Sequence, residues 1–420
     1  FWEKRASENK WVRENSVPPP TKIVLWYQEA KGLSVPRGLF EDIQSRYPLA
    51  RITNKLSAPL SNKPLSYEGV PWEGQAEAVD KLLLHNFGIL VAPTGAGKTD
   101  IILQLAARLR KRTLILVHTR GLLSQMKTRV EERMGFSPGI VGAGKEKWED
   151  FTIATIQTLV NRDLRQHSKD FGLVVLDEAH HAPASTFTQV LQSFSAERVY
   201  GFTATPNSFR KKMMTLSIGP ILYEIDRSLL ENADRIMRPL VIPVVTPFVP
   251  TRKYSEAQVA LRLRDLIKDP ARQEFLVNHL ISKIPGAKSI AFSDRIEQLE
   301  RLASKLKDFN PTLYHGGLSI AERKAAYARI KEDPSNVITL ATYGIAGEGT
   351  DVPSWDQLFM LTPTVGDKKV KQTLGRVARF AAGKAQPIVY DYLDKQDEEL
   401  VEWWHSRLAT YEEIAEVQQG

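Results

Sequence analysis

The 420-residue chain has an ordinary globular composition, 42% hydrophobic and 25% charged, with a formal net charge of +8. It contains no cysteine, which excludes disulfides, thiolate catalysis, iron–sulfur clusters and cysteine-ligated zinc, and fits a reducing compartment. The length predicts two or three domains, and the apolar runs are strand-sized, too short to span a bilayer.

Residues 1–70 carry eleven Lys/Arg against seven Asp/Glu, half of the net charge, together with Trp2, Trp11, Trp26 and Tyr27. Basic residues among aromatics suit phosphate contact and base stacking; they equally suit the core of a small β-rich domain. The Pro/Ser-rich stretches 16–22 and 57–66 bracket one expected strand (22–28) and one expected helix (37–47). This predicts a small α+β accessory domain over 1–66.

From residue 67 the texture changes. "FGILVAP", "TLILVHT", "FTIATIQ", "LVVLDEA" and "VYGFTAT" are each followed by a helical pattern, which predicts a parallel sheet covered on both faces over 67–238. "KSIAFSD", "PTLYHGG", "NVITLAT", "QLFMLTP" and "PIVYDYL" predict a second α/β domain over 239–420, closed by an amphipathic helix. The prolines of "MRPLVIPVVTPFVP" (237–250) suit a connecting segment.

The stretch "VAPTGAGKTD" (91–100) follows a strand and opens a helix, the context of a phosphate-binding loop. Pro93, Thr94, Gly95, Ala96 and Gly97 form the expected cradle, with Ala92 where a glycine usually stands. Lys98 would meet the β and γ phosphates and the Thr99 hydroxyl would ligate Mg²⁺. Asp177 and Glu178 follow the apolar run "LVVL"; Asp177 is the expected second metal anchor and Glu178 the general base. These residues imply a nucleoside triphosphatase.

Farther along, Gln372, Arg376 and Arg379 in "VKQTLGRVARF" (370–380) share one face if that stretch is helical. An arginine supplied from the second domain to the transferred phosphoryl would make hydrolysis depend on domain closure. "ATYGIAGEGTDVP" (341–353) offers Gly349 for close backbone approach and Asp351 for a ribose hydroxyl.

In this order, "APTGAGKT", "LVHTRGLLSQ", "TIATIQTLV", "DEAHH", "GFTATP", "IAFSDR", "ATYGIAGEGTDVP" and "QTLGRVARF" resemble motifs I, Ia, Ib, II, III, IV, V and VI of superfamily 2 helicases and translocases. "LYHGGLS", "GEGTDVP" and "VPRGLF" look closest to the branch that includes XPB and the bacteriophage UvsW branch-migration helicase. The resemblance implies two RecA-like lobes with ATP and Mg²⁺ as cofactors. It implies that Gln75 reads adenine, although Glu73 and Gly74 stand where the family usually has an arginine and an aromatic. It implies that His180, Thr203 and Thr205 couple hydrolysis to the nucleic-acid cleft, and that Thr119, Arg120, Thr155 and Thr342 hold the phosphates of the tracked strand. Such contacts are independent of base sequence. The expected protein is an ATP-driven DNA motor remodelling branched or duplex DNA, translocating 3′ to 5′, working as a monomer without a membrane, in the cytoplasm of a bacterium or phage-infected cell or in a eukaryotic nucleus. An RNA helicase and an ATP-gated nucleic-acid clamp are the alternatives.

Overall fold

The computed structural model describes residues 27–29, 32–35, 37–49, 56–179, 185–204, 208–255, 258–346, 355–381 and 383–418. They divide between Ile236 and Met237 into two compact units.

The first unit is built on an eight-stranded sheet in the order β10-β3-β9-β8-β4-β7-β5-β6. Its strands are β3 (Phe87–Val91), β4 (Thr113–Val117), β5 (Gly139–Gly142), β6 (Lys145–Glu146), β7 (Phe151–Thr155), β8 (Leu173–Leu176), β9 (Arg198–Thr203) and β10 (Ile221–Glu224). All neighbours are parallel except β5 and β6. Side chains alternate between two cores, as the two-residue strand period requires. Leu90, Ile115 and Val175 pack under the helices of one face, and Ile89, Leu114 and Val174 under those of the other. Burial on both faces explains why these strands read as unbroken apolar runs. The β5–β6 hairpin turns through Ala143 and Gly144, both at positive φ (52° and 80°), the geometry that tight two-residue hairpins demand.

A small hairpin, β1 (Tyr27–Glu29) with β2 (Gly32–Ser34), precedes a 3₁₀ turn at Arg37–Leu39 and a helix at Phe40–Arg46. The helix expected over 37–47 is thus present; of the strand expected over 22–28, residues 22–26 lie outside the described residues. This element is fastened to the first sheet. Arg37 Nη1 donates to Ala196 O at 3.2 Å, and burial lowers its pKa to about 10. The Phe40 ring meets Phe87 edge-on. A Cβ on Gly38 would lie 1.9 Å from Thr215 O, so only glycine lets the backbones approach this closely. The segment expected as linker, 57–66, is irregular but pinned: Ser57 N–H donates to Ser195 O and Arg112 N–H to Pro59 O.

The second unit carries a seven-stranded sheet in the order β13-β14-β12-β15-β16-β11-β17, with every neighbouring pair parallel. Its strands are β11 (Leu240–Val245), β12 (Ser289–Ser293), β13 (Thr312–Tyr314), β14 (Ile338–Thr342), β15 (Gln357–Met360), β16 (Ile388–Leu393) and β17 (Glu416–Val417). Ile290, Leu358 and Val389 enter one core, Ala291, Phe359 and Tyr390 the other. The two α/β sheets expected from the sequence are therefore present.

The connecting segment expected at 237–250 is corrected here, because "LVIPVV" is strand β11, paired along its length with β16. Leu240 N–H donates to Pro387 O and Thr246 N–H to Leu393 O, so the even-numbered residues face β16. Odd-numbered residues face the other side, where Glu416 and Gln418 N–H groups donate to Pro239 and Val241 O. Pro243 lies one step beyond that short pairing, so its missing donor breaks no ladder bond. The helix Glu398–Ile414 follows, as expected over 397–417.

Candidate functional site

β3 ends at Val91, residues 92–97 turn, and the helix Lys98–Leu109 begins. Ala92 N–H donates to Thr203 O at 2.8 Å, which anchors the turn to the end of β9. Gly95 and Gly97 have φ of 97° and 75°, a region that strains any residue with a Cβ. A Cβ on Gly97 would also lie 2.3 Å from Gln75 Nε2. The first N–H groups of the helix have no acceptor within it, so the loop and helix end form a ready anion cradle. Lys98 Nζ donates back to Ala92 O at 3.2 Å. Pro93, Thr94 and Thr99 are half-buried along this loop and first turn.

Gln75 is buried on the helix Glu73–Leu83. Its Nε2 donates to Ala96 O at 3.1 Å and reaches Gly97 O at 3.5 Å. Trp72 Nε1 reaches the same Ala96 O at 3.4 Å. Three residues not singled out from the sequence complete the frame: Tyr67 Oη donates to Asp100 Oδ1 at 3.1 Å, and Arg133 Nε lies 3.5 Å from that oxygen. The one visible signal was the acid directly after Lys98-Thr99, in the first turn where a helix favours negative charge.

Asp177 and Glu178 stand at the end of β8, two strands from β3 in the sheet. Asp177 Oδ1 accepts the Glu178 N–H at 2.9 Å, and Glu178 has φ of 53°, a left-handed conformation uncommon outside glycine. Burial and then the Glu178 carboxylate push Asp177 up to about 7, while the Lys98 charge opposes them. Two adjacent carboxylates, one buried and one half-buried, near the single Lys98 charge leave negative charge that a divalent cation would offset. This donor set, with the Thr99 hydroxyl, fits Mg²⁺.

Along the same carboxyl edge, Thr119 caps the helix Arg120–Met134 by accepting the Leu122 N–H at 3.2 Å, with Arg120 exposed beside it. Thr155 ends β7, paired with Val117 of β4, and its buried hydroxyl bonds Thr158 at 2.7 Å. Thr203, fully buried, ends β9. The structure therefore brings Gln75, residues 93–99, Thr119, Arg120, Thr155, Asp177, Glu178 and Thr203 to one edge of one sheet. His180 and Thr205 lie outside the described residues.

In the second unit Thr342 ends β14, and Gln372 is on the helix Asp367–Leu374. The shared helical face expected for Arg376 and Arg379 is corrected: the helix ends at Leu374, Arg376 follows in a turn, and Arg379 lies beyond that turn. The carbonyls that follow the turn are taken from outside the helix. Met237 N–H donates to Ala378 O at 2.6 Å, and Lys384 Nζ donates to Val377 O and Arg379 O at 2.6 and 3.0 Å. Arg376 is buried. Gly349 and Asp351 lie outside the described residues.

Residues 69–208 match the family described as the type III restriction enzyme res subunit, and residues 271–381 match the helicase conserved C-terminal domain. The chain is 30% identical over 251 residues to the DNA 3′-5′ translocase XPB2 of Sulfurisphaera tokodaii, covering 59% of this chain and 53% of that one. It is 29% identical over 319 residues to the probable helicase D10 of Escherichia phage T5, covering 73% of this chain and 68% of that one. The chain is thus similar to helicases and translocases of the XPB kind across both of its α/β units. A fragment of a putative HsdR subunit of a type I restriction enzyme from Vibrio vulnificus shares the fold, with a TM-score of 0.63 at 19% identity over 84% of this chain and 69% of that one. The chain spans about half to two-thirds of the length of these curated relatives. Among the described residues no helix is long and apolar enough to cross a membrane.

Proposed function

We propose that this protein is a superfamily 2 ATP-dependent DNA translocase or helicase that moves along DNA 3′ to 5′ and remodels branched or duplex substrates. The observation that carries the reading is the convergence of the phosphate loop, the Asp177–Glu178 pair and Thr119, Arg120 and Thr155 at the carboxyl edge of a single parallel sheet. That edge is where open α/β sheets bind ligands.

In this reading the loop 93–97 and Lys98 hold the triphosphate, and Gln75 holds the adenine. Thr99 and Asp177 hold Mg²⁺, which when bound supplies positive charge to the phosphate oxygens. Glu178 takes the proton of the attacking water. Gln372, Arg376 and Arg379 act on the charge that develops on the transferred phosphoryl, with Gly349 and Asp351 at the nucleotide. Thr119, Arg120, Thr155 and Thr342 take strand phosphates, and His180, Thr203 and Thr205 link the two sites. The relatives named for DNA translocation and helicase activity support DNA as the track.

The test is ATP hydrolysis by the purified chain with single-stranded DNA, duplex, a four-way junction or single-stranded RNA. Stimulation by DNA, greatest with the junction, is the expected result. Stimulation by RNA alone makes the protein an RNA helicase, and nucleic-acid binding without hydrolysis makes it a clamp; either ends the DNA-motor reading.

A further inference from the structure

The segment that carries Arg376 and Arg379 leaves the helix after Leu374: the Arg376, Val377 and Ala378 N–H groups still bond the Thr373 and Leu374 carbonyls, but the segment's own carbonyls are held from elsewhere. Its three successive carbonyls, at Val377, Ala378 and Arg379, accept hydrogen bonds from two groups elsewhere in the same unit. Lys384 Nζ takes the outer two at 2.6 and 3.0 Å, and Met237 N–H takes the middle one at 2.6 Å. Met237 is the first residue past the division between the units. It is fixed in turn by its neighbours, since Gln386 Nε2 donates to Arg238 O at 3.2 Å and Leu240 N–H to Pro387 O at 2.8 Å. The residues that open the second unit are thus stitched to the loop after the arginines.

We propose that Lys384 is a positioning residue for ATP hydrolysis, its ammonium locking the turn so that Arg376 and Arg379 are presented in one fixed arrangement. The inference rests on the reading above that these arginines act on the phosphoryl. One ammonium bridging carbonyls two residues apart fixes the peptide planes between them, which a single neutral bond would not. The arrangement also explains why a half-buried cation is tolerated next to an arginine. Burial lowers Lys384 to about 8, with the Arg379 charge pushing the same way and Asp356 opposing them, so Nζ still carries its proton at neutral pH. It then supplies donors to carbonyls that the broken helix would leave unsatisfied.

The experiment compares the full chain with its Lys384→Met, Lys384→Arg and Arg376→Ala variants, in DNA-stimulated hydrolysis and in amide hydrogen exchange over residues 375–381. Lys384→Met is expected to lower kcat by about tenfold to a hundredfold, the scale of a misplaced catalytic group, with the KM for ATP unchanged to within about twofold. Exchange over the turn rises while the rest of the unit is unaltered. Lys384→Arg, which keeps the charge and the donors, recovers the rate to within about threefold of wild type. The proposal is overturned if Lys384→Met keeps its kcat while Arg376→Ala loses it, or if Lys384→Arg is no faster than Lys384→Met. Should Lys384→Met fail to fold, a Lys384→Arg variant with a wild-type turn but a methionine-like loss of rate expected of misplacement would overturn it as well. If Arg376→Ala hydrolyses normally, the role assigned to the arginines has failed, and the exchange data alone then decide whether Lys384 holds the turn.

Discussion

Glu178 donates its main-chain N–H to the Oδ1 of Asp177, 2.9 Å away, while its own φ of 53° turns the chain sharply at that point. Adjacent carboxylates on an ordinary strand would point to opposite faces; this bend gives them separate tasks at the same edge. Glu178→Gln preserves size and most hydrogen bonding but cannot accept a proton. Its turnover is expected to fall by about 10²–10⁴, the range for loss of a general base, with nucleotide binding retained. Lys98→Ala is expected to lose both. Hydrolysis and fluorescent-nucleotide titration measured side by side check this, and near-normal turnover in either variant would remove the residue from the site.

Gln75, assigned above to the adenine, is also tied to the phosphate loop, since Nε2 donates to Ala96 O. Gln75→Ala deletes that bond, worth about 0.5–1.5 kcal/mol, and opens space beside Gly97. The expected outcome is an ATP KM raised by about tenfold or less with kcat little changed, and weaker preference for ATP over GTP. Competition between the two nucleotides measures it; identical discrimination in the variant would leave Gln75 a loop anchor alone.

Much of this was legible because parallel strands buried on both faces read as apolar runs, and because the phosphate loop and the Asp-Glu pair each occupy consecutive residues. β11 was not, since Pro243 argues against a strand until its register shows that the missing donor faces past β17. β5 and β6 were missed because "GIVGAGKE" is rich in glycine, which the hairpin turn uses. The spacing of Arg376 and Arg379 suggested a helical face, yet the helix ends at Leu374, before either arginine. Tyr67, Asp100 and Arg133 converge only in three dimensions, so no local pattern marks them.

His279 gives a pH dependence of stability. Its ring lies parallel to Phe275 and edge-on to Tyr390, and its Nδ1 is 2.9 Å from Tyr392 Oη. Burial, helped by the Lys283 charge, holds its pKa below the ordinary 6.5. The unfolded chain therefore binds this proton more readily than the folded one. Stability is unaffected well above 6.5 and declines as pH falls through 6.5 toward the folded value, below which the loss is complete. Urea unfolding between pH 7.5 and 5 is expected to show a shallower decline in His279→Phe than in wild type. Parallel curves would show that His279 does not titrate differently on folding.

Arg407 and Asp391 form a buried pair that fastens the helix Glu398–Ile414 to β16. The guanidinium meets both carboxylate oxygens, at 2.8 and 3.0 Å, and donates to Thr364 O at 3.1 Å. Tyr411 Oη donates to the same carboxylate at 2.9 Å. Every charge is matched in place, so removing one partner leaves the other buried and uncompensated. Arg407→Met or Asp391→Leu alone is expected to cost about 3–5 kcal/mol, whereas the double replacement removes both charges and should cost much less than the sum. Urea unfolding of the two single variants and the double variant completes the cycle. Costs that simply add would mean the pair stabilises through packing of each side chain separately, and the helix would be held by Tyr411 and its apolar neighbours instead.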